Sequence, residues 1–372
     1  MKLEKIIIAP DSFKGSLSAS EATNIIAETI KTQLPNCELV LLPLADGGEG
    51  SSETIITALG GNFIQVMVIG PSGELIKATY GISNNQTAII EMAQSSGLTR
   101  QNKLHPLSSN TFGLGQLILD ALNRGIKDFV LAIGGSATTD GGCGMAAALG
   151  VKFLNQNNEV FIPNGGSLKE IAAIDFSEID QRIQNSGFKV LCDVDNPLYG
   201  PQGAAYQYAA QKGADKNGIE LLDQGLINLA KCLKTELNQD YSKVAGGGAA
   251  GGLGVGSLAF LKAQLLKGSE VIPDLVDFSL HLKDCDLIIT GEGKLDSQSF
   301  NGKVLSGIMR LSPNIPICCL CGLNEAQMLL KKQSQVHAFA FPLDITLKES
   351  INNASKYLAL STLSAIQYYK QY

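Results

Sequence analysis

Short apolar runs alternate with amphipathic helical stretches along most of this chain, and that alternation restricts it to folds built on parallel sheets. Residues 5–9 form an apolar run; Ser18-Ala-Ser-Glu21 then reads as a capping box, followed by Ala22, Ile25, Ile26 and Ile30 at helical spacing. Residues 38–44 predict a strand, and residues 51–59 a helix stopped by Gly60-Gly61. Runs at 63–69, 74–82 and 87–93, separated by Pro-Ser-Gly and Ser-Asn-Asn turns, predict a local antiparallel meander. Alternation resumes with a helix at 114–123, a strand at 128–133, a helix at 144–149, a strand at 189–194 and a helix at 218–233. Strands at 286–290, 316–321 and 336–341 precede one long helix capped by Thr346-Leu-Lys-Glu349, with Ile351, Ala354, Leu358 and Ile366 inward. The expectation is an α/β fold with a discontinuous domain from residues 1–65 and 286–372. A second α/β domain, residues 66–285, is inserted in it and carries the meander.

The 372 residues suit two or three domains at roughly 150 residues each. A chain that is 45% hydrophobic and only 17% charged is not disordered, and a net charge of −6 lacks the basic footprint of a nucleic-acid binder. The apolar run at 6–9 is too short for a secretory signal. The longest uncharged stretch, eighteen residues at 244–261, holds seven glycines, so it predicts a buried loop running into a helix rather than a membrane span. Eight cysteines lie mostly in apolar contexts, without zinc spacing, and read as small core residues in a reducing cytoplasm.

Glycine is unevenly placed. Seventeen of the forty glycines fall in residues 45–50, 134–144, 246–256 and 291–293, which calls for positive φ or close backbone approach there. Acids share these places. The predicted strands lead into Asp11 and Lys14; Asp46 and Glu49; Gly134-Gly-Ser-Ala-Thr-Thr-Asp140; Asp193 and Asp195; and Gly291-Glu-Gly-Lys294-Leu-Asp296. In open parallel sheets ligands bind at the carboxyl ends of strands. Glycine amides favour anions, whereas carboxylates repel them unless a hard cation intervenes. Mg²⁺ takes one or two carboxylates plus substrate phosphates, so the combination points to a Mg²⁺-nucleotide phosphoryl-transfer site. Taken singly, Asp46 and Glu49 are also ordinary caps for the helix at 51–59.

Other chemistries fit less well. A G-x-x-x-x-G-K-[ST] loop is absent, as are the H-R-D and D-F-G pairs. Gly246-x-Gly248-x-x-Gly251 matches a dinucleotide fingerprint, and Gly142-x-Gly144-x-x-Ala147 its relaxed form, but neither directly follows a strand. His105, His281 and His337 are far apart and show neither metal spacing nor a catalytic triad. An NAD-dependent hydroxyacid dehydrogenase and a non-catalytic small-anion binding protein remain the alternative readings.

Six blocks carry a family pattern: residues 8–16 (Ile-Ala-Pro-Asp-Ser-Phe-Lys-Gly-Ser), 43–50 (Pro-Leu-Ala-Asp-Gly-Gly-Glu-Gly), 134–142 (Gly-Gly-Ser-Ala-Thr-Thr-Asp-Gly-Gly), 192–198 (Cys-Asp-Val-Asp-Asn-Pro-Leu), 248–254 (Gly-Ala-Ala-Gly-Gly-Leu-Gly) and 290–296 (Thr-Gly-Glu-Gly-Lys-Leu-Asp). Together with Ile90-Glu-Met-Ala93, Thr111-Phe-Gly113 and Gln211-Lys-Gly-Ala214, the chain resembles the bacterial glycerate kinase type-1 family. Thr139 stands where many members have Asn, and residues 206–210 depart from the usual Phe-Gly-Pro.

The resemblance implies an ATP-dependent kinase acting on D-glycerate, with 2-phosphoglycerate the favoured product. It also implies a flavodoxin-like inserted domain and a site in the cleft between the domains. On this reading Asp193 orients or deprotonates the attacking hydroxyl, and Lys14 neutralises the γ-phosphate or the glycerate carboxylate. Asp46, Glu292 and Asp296 hold Mg²⁺. Gly134, Gly135, Ser136, Asp140, Gly248, Gly251 and Lys294 bind the nucleotide. No nucleic-acid or membrane partner is expected, and a homodimer is left open.

Overall fold

The computed structural model describes every residue except 1, 46, 49, 301, 343 and 372. Its strands are β1 (Lys5–Ile8), β2 (Glu38–Leu41), β3 (Gly61–Ile69), β4 (Leu75–Ser83), β5 (Thr87–Glu91), β6 (Asp128–Ala132), β7 (Lys152–Leu154), β8 (Val160–Phe161), β9 (Ala173–Asp175), β10 (Gly187–Leu191), β11 (Gln264–Leu266), β12 (Leu287–Leu295), β13 (Ile317–Asn324) and β14 (Val336–Ala340). Two compact units result: Met1–Asp46 with Glu53–Gly60 and Lys267–Tyr372, and Gly47–Ser52 with Gly61–Leu266.

The unit made from both chain ends holds a five-stranded parallel sheet in the order β14-β13-β12-β1-β2. β1 lies inside the sheet, between β12 and β2, because its Lys-Ile-Ile-Ile sequence presents apolar side chains to both faces: Ile6, Ile7 and Ile8 are all fully buried. The helix Ala19–Gln33 starts at a complete capping box, with the Glu21 amide donating to Ser18 Oγ at 3.1 Å and the Ser18 amide to Glu21 Oε2 at 2.8 Å. It buries Ala22, Ile26 and Ile30 against the sheet and the helix Ala354–Gln371, which contributes Leu358 and Ile366.

In the inserted unit the order is β11-β10-β6-β5-β4-β3. β3, β4 and β5 form the antiparallel meander, while β5, β6, β10 and β11 run parallel. The helix Phe112–Asn123 packs Leu114, Leu117, Ile118 and Ala121 onto Ile90, Leu131 and Val190. A small antiparallel sheet, β8-β7-β9, is added beside them. A second cluster gathers Leu222, Leu226, Leu229 and Leu233 of the helix Lys216–Leu237 with Val255 and Phe260.

Several details differ from the sequence-based expectations. The flavodoxin-like strand order, with its reversal between β1 and β12, is formed in the terminal unit; the inserted unit runs through its strands consecutively. β12 continues to Leu295 because pairing with β13 (Gly291↔Leu320, Lys294↔Leu323) carries the Gly-Glu-Gly-Lys segment as strand. The last helix is two, Leu347–Asn352 and Ala354–Gln371, interrupted at Asn353, whose side-chain amide turns back onto the Glu349 carbonyl; Ile351 is exposed rather than inward. Residues 267–285 join the terminal unit, where Gly307 lets the helix Val304–Leu311 approach the Ser269 carbonyl closely. In the stretch 244–261 the helix Ala249–Leu261 is kinked by positive φ at Ala250, Gly251 and Gly252.

Candidate functional site

The reversal of strand order between β1 and β12 opens a crevice at their carboxyl ends, where the paths of successive crossovers diverge. β1 ends at Ile8, but the chain continues beside β12: the amides of Ala9 and Asp11 donate to the carbonyls of Ile289 and Gly291 at 2.7 and 2.8 Å. Asp11 is thereby buried at the strand exit, its Oδ1 accepting from the Ser12 amide at 2.6 Å. A tight turn closed by reciprocal Phe13–Leu17 backbone bonds, with Gly15 at φ +82°, then presents Lys14 to solvent.

Across from it, β12 supplies Glu292, which is 7% exposed. Lys303, just before the helix Val304–Leu311, places its Nζ 3.1 Å from Glu292 Oε2 and 3.9 Å from Asp296 Oδ1. Burial pushes the Glu292 carboxyl above its usual range, opposed by the Ser299 hydroxyl and the Lys303 ammonium. Lys294 points to solvent and pairs with Glu325 at 2.7 Å. Asp11, Lys14, Glu292, Lys294 and Lys303 line a cavity of about 360 Å³ in this unit. The structure therefore brings together Lys14, Glu292, Asp296 and Lys294, and adds Asp11 and Lys303. Asp46 and Glu49 lie outside the described residues.

The inserted unit gathers a second group at the carboxyl ends of β5, β6 and β10. Glu91 closes β5 and is buried, accepting from the Ser52 amide and hydroxyl at 2.7 Å each and from the Gly50 amide at 3.2 Å. Gly134 follows β6, and a Cβ there would lie 2.9 Å from Gly48 Cα; Gly135 adopts φ +72°. Lys212 is buried under this loop, donating to Ser136 Oγ at 2.8 Å and the Thr138 carbonyl at 2.6 Å. Burial pushes its ammonium down to about 7, against the attraction of Asp140. Asp193, after β10, is exposed.

Three residues assigned to nucleotide binding from sequence are built into the protein's interior instead. Asp140 has no exposed surface; it accepts from the Thr111 amide and hydroxyl (2.8 and 2.7 Å) and from the amides of Gly144 and Gly142 (3.0 and 3.4 Å). It thus ties the start of the helix Phe112–Asn123 to that of the helix Cys143–Ala148. Burial raises its carboxyl, and those hydrogen bonds oppose the rise. A Cβ on Gly248 would overlap the Pro197 carbonyl, and one on Gly251 the Thr138 carbonyl. Within the dinucleotide-like spacing, Gly248 and Gly251 therefore serve backbone-to-backbone packing, and Gly246 takes φ +77° against Cys192 Sγ.

Lys303, Lys212 and Glu91 were not singled out from sequence. Lys212 and Glu91 stand inside two of the shorter family-like blocks, which is the one signal they carry. Lys303 precedes an amphipathic helix and reads as an ordinary solvated lysine. No group of three or more His, Cys, Asp or Glu side chains among the described residues is arranged to hold a metal, and no helix among them is long and apolar enough to cross a membrane.

The glycerate kinase family profile matches residues 6–370. A glycerate kinase of Halalkalibacterium halodurans is 44% identical over 325 residues, covering 86% of each chain. The glycerate 2-kinase of Escherichia coli is 44% identical over 311 residues, 83% of this chain and 82% of that one. A solved Salmonella typhimurium structure, named provisionally as a glycerate kinase 2, superposes with a TM-score of 0.87 at 36% identity over the full length of both chains. With nearly every residue of its two units inside these matches, the chain belongs to the glycerate kinase family.

Proposed function

We propose that this chain transfers the γ-phosphoryl group of ATP to the 2-hydroxyl of D-glycerate in the cytoplasm, in a Mg²⁺-dependent reaction. The observation that carries the reading is the pair of carboxylates, Glu292 and Asp296, gathered on one ammonium at the strand-order reversal of a glycerate kinase family chain. Carboxylate oxygens suit a hard divalent ion, and two of them leave the rest of its coordination to phosphate and water; Cys319 and Cys321 beside Glu292 are kept as thiols by burial. Glu292 and Asp296 would hold Mg²⁺, which when bound neutralises phosphate charge.

The chain's own residues do the remainder by position and charge. Lys303 and Lys14 neutralise phosphoryl oxygens at the β12 and β1 exits. The loop amides of Gly134, Gly135 and Ser136, backed by the Lys212 ammonium, bind an anionic substrate group. Asp193 accepts the proton of the attacking hydroxyl as its oxygen bonds to phosphorus and the bond from phosphorus to the ADP oxygen breaks. Asp140, Gly248 and Gly251 keep the inserted unit's loops in place.

The test is ADP release on mixing protein, ATP, Mg²⁺ and D-glycerate, with phosphorus NMR to identify the product. Turnover giving 2-phosphoglycerate, and a loss of kcat of about a hundredfold or more in Asp193→Asn, are expected. No turnover above background, or full kcat in that variant, would count respectively against the activity and against the proton acceptor.

A further inference from the structure

The cavity of the terminal unit changes character along the sheet order β14-β13-β12-β1. Its charged lining, Lys14, Lys303 and Glu292, comes from the β1 exit, β12 and the chain beyond β12. Its exposed apolar lining comes from the other side: Leu323 near the end of β13, and Ile345, Leu347 and Ile351 from the chain after β14, while Phe13 at the β1 exit is buried against Phe341 at the floor. Leu323, Leu347 and Ile351 are 42%, 78% and 37% exposed. Large apolar side chains left open to water inside a concavity mark a surface that a ligand covers.

The two halves call for a ligand with an apolar plane at one end and anionic groups at the other. Glycerate does not have that shape, since each of its three carbons bears oxygen. A nucleoside triphosphate does, and a cavity of about 360 Å³ is of the size that small-ligand pockets take. We infer that the base and ribose of ATP lie on the β13–β14 side of this cavity, over Leu323, Ile345, Leu347 and Ile351, with the triphosphate running across the sheet to Lys303 and Lys14. This rests on the phosphoryl-transfer reading above and adds which unit holds the nucleoside, and by which side chains.

The test is Leu347→Asp and Ile351→Asp, both at exposed positions, with Leu75→Asp as an exposed control outside the cavity and melting temperatures taken for all three. KM for ATP is measured at saturating D-glycerate, KM for D-glycerate at saturating ATP, and Mg²⁺–ADP binding by calorimetry without glycerate. The expected result is a rise of about tenfold in KM for ATP and in the ADP dissociation constant, with KM for D-glycerate unchanged and the control like wild type. A rise in KM for D-glycerate alone, equal rises in both, or no change in either overturns the assignment. If the wild type shows no turnover, the functional reading fails, and ADP binding still decides this one: weakened by the two variants it stands, and unweakened or absent in the wild type it falls.

Discussion

The terminal and inserted units both place glycines and acids beyond parallel strands, yet the balance between an open site and backbone packing differs between them. In the terminal unit Glu292, Asp296 and Lys303 meet beside a cavity, and Gly15 has open space around it. In the inserted unit the glycines let main chains touch. A Cβ on Gly251 would overlap the Thr138 carbonyl, one on Gly254 the Gly246 carbonyl, and one on Gly256 the Gly141 carbonyl. Asp140 and Lys212 are correspondingly enclosed. Dense glycine therefore reports close approach of backbone; whether the thing approached is a ligand or the protein itself depends on the tertiary neighbours.

The sharpest way to break this contrast is Gly251→Ala, which adds a Cβ against a carbonyl at φ +70°. It should cost about 3–5 kcal/mol in urea unfolding, and a loss under about 1 kcal/mol would mean the inserted unit is not close-packed there. Next comes Lys303→Met. Removing the cation that holds the Glu292 carboxyl down should lower kcat/KM for ATP about a hundredfold and move the acid limb of its pH profile upward. An unmoved acid limb would separate Lys303 from Glu292 in function.

The buried ammonium of Lys212 gives a smaller, pH-dependent effect. Its folded value near 7 lies below the ordinary 10.5, so between these limits the unfolded chain binds more protons and stability rises with pH. Each proton contributes up to about 1.4 kcal/mol per pH unit, so wild type should gain on Lys212→Met as pH is raised from 7 to 10 in parallel denaturant titrations. A constant difference between the two proteins would refute the shift. Smallest is Gly15→Ala, which has a positive φ but nothing within 4 Å and should cost only about 1 kcal/mol in the same unfolding assay.

Locally determined features were legible in the chain. The Ser18–Glu21 capping box lies within four residues, and the helix Ser51–Leu59 runs between the limits its sequence predicts. The turns of the meander likewise carry their own signals, and β3 to β5 are antiparallel as expected. What escaped depends on partners distant in sequence. Gly291-Glu-Gly-Lys294 has little strand preference of its own and becomes strand through β13. Asp140 and Asp193 look alike as acids after strands, although one is enclosed and the other exposed. A lysine is usually solvated, so neither the burial of Lys212 nor the bridging position of Lys303 could be read before the neighbours were known.

The pairing of β1 with β12 joins Ile6 to Leu287, and the amide of Lys5 to the Asp286 carboxylate across 281 positions. During synthesis from the amino terminus, β1, an interior strand of the terminal sheet, thus emerges long before three of its four companions exist. The inserted unit is complete by Leu266 and can close its own core first. Until then the Lys-Ile-Ile-Ile segment has a bare edge and two apolar faces, which makes the nascent chain, rather than the finished protein, the form most exposed to wrong strand partners.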